Sequence, residues 1–241
     1  MTWSIVARDP LTGAFGVAVA TRFFAVGALC TRAEGGVGAL ATQALMNPTY
    51  GPRGLRLLRE GVPARAVVDI LIGLDDGRDA RQLHVQDAAG GIAVHTGAAC
   101  VAWCGDTVRE GFSVAGNMLA GPQVIEQTAR AYEAGRDIAF PRRLIGALKA
   151  GEAAGGDSRG KQSAALAIYT TEEYPALDLR VDDHADPLAE LERLEAVSRE
   201  RFVHFAQFFA TRTDPCGVYD RDVINASIEA VLARERGQVG G

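Results

Sequence analysis

Apolar residues run in short, nearly continuous blocks along the first part of the chain. TWSIVARD and GAFGVAVATRF are rich in apolar and β-branched residues, and DPLTG between them is a proline and glycine turn of the kind that closes a hairpin. A second pair, GALCTRAE and GVGALATQAL, is divided by Gly35 and Gly36, so four strands come first. The period then changes. Leu55 and Leu58, followed by Val67, Val68, Ile70 and Leu71, recur at helical spacing, and Pro63 stands where a helix can begin. RQLHVQD and GIAVHTGA read as a hairpin across AAGG, GFSVAGNML as a strand, the stretches around 121–133 and 141–149 as helices, and SAALAIYT as a closing strand.

Runs of strands alternating with runs of helices predict mainly antiparallel sheets with helices on their outer faces, an α+β layered sandwich in place of a doubly wound parallel sheet. The character changes after VDDHADP. Leu191, Leu194, Val197 and Phe202 fall near helical spacing among many charges, and 223–234 is a second amphipathic stretch. The expected organisation is a main domain over 1–184 and a helical C-terminal appendage over 185–241. Its Phe202, Phe205, Phe208 and Phe209 are expected to pack on the main domain or on a second subunit, which would make a homodimer through the C-terminal helices.

Composition narrows the function classes. The 241 residues are 48% hydrophobic and 23% charged, enough to bury a sizeable core. The net charge of -5 and the scattered Lys and Arg residues argue against a nucleic-acid partner. No signal pattern and no membrane-length apolar run is present, so the expectation is a cytoplasmic protein with no membrane partner. Cys30, Cys100, Cys104 and Cys216 lack the spacing of a disulfide scaffold or a zinc site, and the reading for Cys100 and Cys104 is small buried hydrophobes.

The candidate chemistry lies at the start. Thr2 follows the initiator methionine, and aminopeptidases remove Met1 when the next side chain is small. A freed Thr2 would carry a hydroxyl and an amine on one residue, a minimal nucleophile and base. Asn117, at the end of the GFSVAGN strand, is the candidate donor to a developing oxyanion. Asp157, Arg159 and Gln162 lie in GGDSRGKQS, a glycine-bearing loop dense in polar groups just ahead of a buried strand. Arg22 ends an apolar strand, where its charge either pairs with an acid or faces the site. Gln43 and Asn47 stand where a strand gives way to a helix, and for Asn47 the helix-capping role is preferred. His95 either orients substrate or satisfies a backbone carbonyl. Asp182, Asp183 and His184 are explained by a strand running into a proline-bounded turn, and no metal site is assigned.

These segments also carry a resemblance. TWSIVARDPLTGAFGVAVATRFFAVGAL, ATQALMNPTYGPRGL, AVHTGAAC, GNMLAGP, GEAAGGDSRGKQSAAL and LRVDDHADP, in that order, resemble the bacterial DUF1028 family over about residues 2–187. The resemblance implies an α+β, four-layer αββα sandwich of the N-terminal nucleophile hydrolase type, with a catalytic residue at the mature N-terminus. A wider likeness runs to catalytic proteasome β-subunits. The acidic residue and the lysine that tune the threonine there have no counterparts here, those positions falling near Ala20–Thr21 and Thr31–Arg32.

The functional expectation is an amidohydrolase that cleaves a small-molecule amide through an acyl ester on Thr2, with Asn117 and Asp157 as further catalytic residues and no cofactor. Arg22, Gln43, His95, Arg159 and Gln162 are the substrate-binding candidates, and convergence of Arg22, Arg159 and Lys161 on Thr2 would favour an amide bearing a carboxylate. The alternative is a non-catalytic binding or scaffold protein that keeps the sandwich.

Overall fold

The structure, a computed structural model, describes residues 2–239. Residues up to Glu192 form one compact unit and those from Arg193 on form a second. In the first unit two antiparallel sheets lie face to face. The six-stranded sheet has β1 (Thr2–Arg8) at its centre, between β2 (Phe15–Thr21) and β8 (Phe112–Asn117). Beyond β2 come β9 (Ser163–Tyr169) and β10 (Leu177–Val181), and beyond β8 comes β7 (Gly105–Arg109). The four-stranded sheet runs in the order β3 (Thr31–Glu34), β4 (Gly38–Ala44), β5 (Arg81–Asp87), β6 (Ile92–Thr96).

Helices α1 (Tyr50–Arg59) and α2 (Ala64–Gly73) cover the outer face of the four-stranded sheet. Helices α3 (Gln123–Ala134) and α4 (Phe140–Ala153) cover that of the six-stranded sheet. The unit is therefore a four-layer αββα sandwich. Leu40, Leu83 and Val85 meet Tyr50, Val67, Val68 and Leu71 in the outer core on the α1 and α2 side. The α4 layer approaches β2 closely because Gly16 lacks a side chain: a Cβ there would lie 2.5 Å from Leu144 Cδ1. Helix α2 begins at Pro63 as the pattern predicts, and Asp87 Oδ2 on β5 accepts the Ala64 N–H at 2.8 Å. Asn47 does not cap α1, whose N-cap is Thr49 with no side-chain cap; its Oδ1 instead accepts the Thr49 N–H at 3.1 Å in the turn that leads into the helix. Its Nδ2 donates to Asp75, where hydrogen bonds from Arg81, Asn47 and Tyr50 hold the carboxyl well below the usual carboxylate range.

Three local features depart from the sequence pattern. The strand read from GALCTRAE starts only at Thr31. Ahead of it, Ala25 takes a left-handed backbone (φ 52°), its N–H donates to the Asp182 carbonyl and that of Val26 to Ser163 Oγ, and 26–28 form a 3₁₀ turn. Strand β7 is absent from the sequence pattern because it is an edge strand whose Val108 is half exposed. Cys100 and Cys104 are free thiols and only partly buried, with Cys100 Sγ donating to the Arg81 carbonyl at 3.3 Å.

The division between the units falls within α5 (Pro187–Glu200). In the second unit α6 (Phe202–Ala206) packs with α7 (Arg221–Val239). Phe202 and Phe205 set ring edges against Phe209, with centroids 6.2 and 5.5 Å apart. No helix among the described residues is long and apolar enough to cross a membrane.

Candidate functional site

Thr2 is the first residue of the central strand, paired in register with Thr21 at the end of β2 and with Asn117 at the end of β8. Alternation along β1 turns Trp3, Ile5 and Ala7 toward α3 and α4, and Thr2, Ser4 and Val6 toward the other sheet. Thr2 is 7% exposed, and its Oγ1 lies 3.1 Å from Thr21 Oγ1. Thr21 thus stands close to where the sequence offered no acidic counterpart. Met1 lies outside the described residues, and with it the question of its removal.

Beside Thr2, Asn117 donates through Nδ2 to Gln82 Oε1 at 3.1 Å and is 1% exposed. On the other flank the chain leaves β2 at Arg22, whose backbone N–H donates to Asp157 Oδ2 at 2.8 Å. Asp157 is buried and also accepts the Arg159 N–H at 2.8 Å and Arg159 Nη2 at 3.3 Å. It forms a single β-bridge with Leu119, so one carboxylate ties the loop over 155–162 to the exit of β2 while its backbone meets the exit of β8. Gln162 completes this flank. Its N–H donates to the Thr21 carbonyl at 2.9 Å, its Oε1 accepts Arg22 Nη1 at 3.1 Å, and its Nε2 donates to Asp183 at 3.0 Å.

The cations are used unequally. Lys161 bridges Glu152 and Asp186, and Arg159 pairs with Asp157, whereas Arg22 is exposed and makes no ion pair among the described residues.

Strain gathers at the same rim. Ala44 (φ 67°) ends β4, Met118 (φ 54°) follows β8, and Ala25 (φ 52°) follows β2, all non-glycine residues in the left-handed region. Such conformations cost about 1–3 kcal/mol each and cluster at functional sites.

The remaining candidates lie elsewhere. Gln43 is fully buried between the sheets: its Oε1 accepts the Ser4 hydroxyl at 2.6 Å, and its Nε2 donates to Gln82 Oε1 at 2.8 Å and to the Ala115 carbonyl at 3.1 Å. His95 pairs in register with Leu83, on the α2-facing side of its sheet, with Nε2 2.9 Å from the Arg78 carbonyl. The structure does not bring it together with Thr2. Asp182 pairs with Arg180 at 2.8 Å, and His184 Nδ1 accepts the Asp186 N–H at 2.9 Å. Among the described residues no group of three or more His, Cys, Asp or Glu could hold a metal ion.

The sequence reading singled out none of Ser4, Gln82, His84 and Ser113, which continue the polar layer inward from Asn117. His84 lies 2.8 Å from Ser4 Oγ and 2.9 Å from Ser113 Oγ, and burial lowers its imidazole to about 3, so it is neutral at ordinary pH. The available signal was the alternation in RQLHVQD, which places Gln82, His84 and Gln86 on one face.

An αββα sandwich whose central strand opens on a threonine at a strained, polar rim defines the class of the molecule. The chain belongs to the family described as "Family of unknown function (DUF1028)", which matches residues 2–191. Among solved structures it is similar to protein SPO2555 from Silicibacter pomeroyi, of the same family, at 32% identity and a TM-score of 0.85, over 91% of this chain and 96% of that one. A weaker similarity runs to Anbu, an ancestral beta-subunit from Yersinia bercovieri, at 13% identity and a TM-score of 0.37, over 87% and 99% of the two chains. No curated protein matches the chain.

Proposed function

We propose that the protein is an amidohydrolase whose nucleophile is the Thr2 hydroxyl after Met1 is removed. The observation that carries this reading is the register of the central strand, which sets Thr2 between Thr21 and Asn117 at the rim where β4 ends in the strained Ala44 and β8 is followed by the strained Met118. A free α-amine has a reference pKa of about 7.7–8.0 and is substantially neutral at cellular pH. It takes the hydroxyl proton, directly or through a water, as Oγ1 bonds to the amide carbonyl carbon. The proton then passes to the departing nitrogen, the C–N bond breaks, and an ester on Thr2 remains. Water attacks that ester, releases the carboxylic acid and restores the hydroxyl.

In this reading Asn117 serves the developing oxyanion. One of its two amide hydrogens goes to Gln82, and the second is assigned to the substrate. Asp157 is a positioning residue that fixes Arg22 and the loop over 155–162 through backbone N–H groups. The Arg22 guanidinium, which makes no ion pair among the described residues, would select an amide bearing a carboxylate.

A panel of acidic and neutral small amides offered to the processed protein tests this. Turnover is expected for acidic amides and lost in Thr2→Ala, and Arg22→Gln should raise KM about tenfold for acidic amides with little effect on neutral ones. Absence of turnover and of any covalent adduct would favour a binding protein. Equal effects of Arg22→Gln on both amide classes would remove the carboxylate preference.

A further inference from the structure

The polar layer between the sheets is closed, and its hydrogens can be placed one at a time. Thr96 donates its only hydroxyl hydrogen to Asp106 Oδ1 at 2.9 Å, so its oxygen can only accept from Gln82. The same group of Gln82 lies 2.9 Å from the Gly116 carbonyl and 3.2 Å from that of Gly105, both acceptors. It is therefore the amide nitrogen, and the opposite end of the Gln82 carboxamide is its oxygen. That oxygen has two neighbours, Gln43 at 2.8 Å and Asn117 at 3.1 Å, and both must present their amide nitrogens.

The assignment propagates inward. With its nitrogen on Gln82 and the Ala115 carbonyl, Gln43 turns its oxygen to Ser4, which donates its single hydrogen at 2.6 Å. Ser4 can then only accept from His84, so Nε2 carries the imidazole hydrogen, and Nδ1 accepts from Ser113. Ser4, Gln43, Gln82, His84, Ser113 and Asn117 are 0–1% exposed, while Thr96 and Asp106 form the partly exposed outer edge of the layer.

We propose that Gln82 is a positioning residue: it fixes the carboxamide of Asn117 with the nitrogen toward β5, and through Gln43 and Ser4 it holds the start of β1 in the same lattice. The part of this that concerns catalysis rests on the reading of Thr2 as nucleophile; the orientation of Asn117 does not. Gln82 touches no substrate. It acts through the residue that Thr2 faces across the ladder, at a cross-strand Cβ spacing of about 4.5–5.5 Å.

The experiment uses the full chain with Met1 removed, comparing Gln82→Met with Gln86→Met. Gln86 is a control on the same strand and face, buried equally, donating to the Gly111 carbonyl and making no contact with Asn117. The Asn117 side-chain hydrogen bonded to Gln82, assigned by its absence in Asn117→Ala, is expected to exchange slowly in the wild type and in Gln86→Met and to lose that protection in Gln82→Met. Acylation of Thr2 by a β-lactone probe is expected to slow by about tenfold to a hundredfold in Gln82→Met and by no more than about twofold in Gln86→Met. Imidazole ¹⁵N shifts should show the Nε2–H tautomer at His84.

Unchanged Asn117 signals in Gln82→Met, an Nδ1–H tautomer at His84, or equal slowing in the two variants would overturn the proposal. Should Gln82→Met fail to fold, exchange in the wild type decides, because Asn117 hydrogens exchanging as fast as exposed carboxamides would contradict the lattice. If the wild type gives no Thr2 adduct, the nucleophile reading falls, and the amide signals alone still decide the orientation of Asn117.

Discussion

The space between the two sheets is filled in two different ways. Toward β3 and β9 it is apolar: Val6, Phe15, Val17 and Val19 of one sheet meet Ala33, Ala39 and Ala41 of the other, all buried. Toward β5 and β8 it is polar: Ser4, Gln43, Gln82, His84, Ser113 and Asn117 are buried as completely. The first half is held by area removed from water, a non-directional force that tolerates rearrangement. The second is held by closure of donors and acceptors, where removing one member orphans its neighbours. Thr2 lies at the outer end of the second half, where a fixed arrangement of hydrogen bonds matters more than filled volume.

The largest effect is expected in the apolar half. Phe15→Ala should lower unfolding free energy by about 3–5 kcal/mol in urea denaturation, since it empties a fully buried aromatic site. Gln43→Leu keeps most of the volume but leaves the Ser4 hydroxyl and the Ala115 carbonyl without their partner, and should cost about 2–3 kcal/mol. A neutral result would mean that closure contributes nothing beyond packing.

The third effect depends on pH. His84 stays neutral in the folded chain down to about 3, against an unfolded value of about 6.5. Acid therefore favours the unfolded chain, which takes up the proton first. The contribution is fully present above about pH 6.5 and is lost as pH falls toward about 3, the loss amounting to about 2 kcal/mol at pH 5. His84→Gln should show a correspondingly shallower fall in stability between pH 7 and pH 5, and identical slopes would refute a neutral, buried His84.

The two halves also differ in how far the sequence announced them. The apolar half was legible: the blocks TWSIVARD and GAFGVAVATRF mark β1 and β2 almost to the residue, and their hairpin follows from DPLTG. The helix pairs were legible from period, because each has one sheet to cover. The polar half was not legible, because Gln82, His84 and Gln86 alternating with Leu83 and Val85 is the pattern of a strand with one face in water. A second sheet covers that face, and no local signal shows it. The same holds for the site. Thr2 and Asn117 were found as strand ends, but their pairing depends on the register of three strands brought together from across the chain.

The most direct measurement of the central claim is mass spectrometry of the processed protein after exposure to a β-lactone electrophile, with the modified residue located by fragmentation. One adduct on Thr2, absent in Thr2→Ala, is the predicted result. No adduct, or one on another residue, with Thr2 present as a free N-terminus, would contradict it.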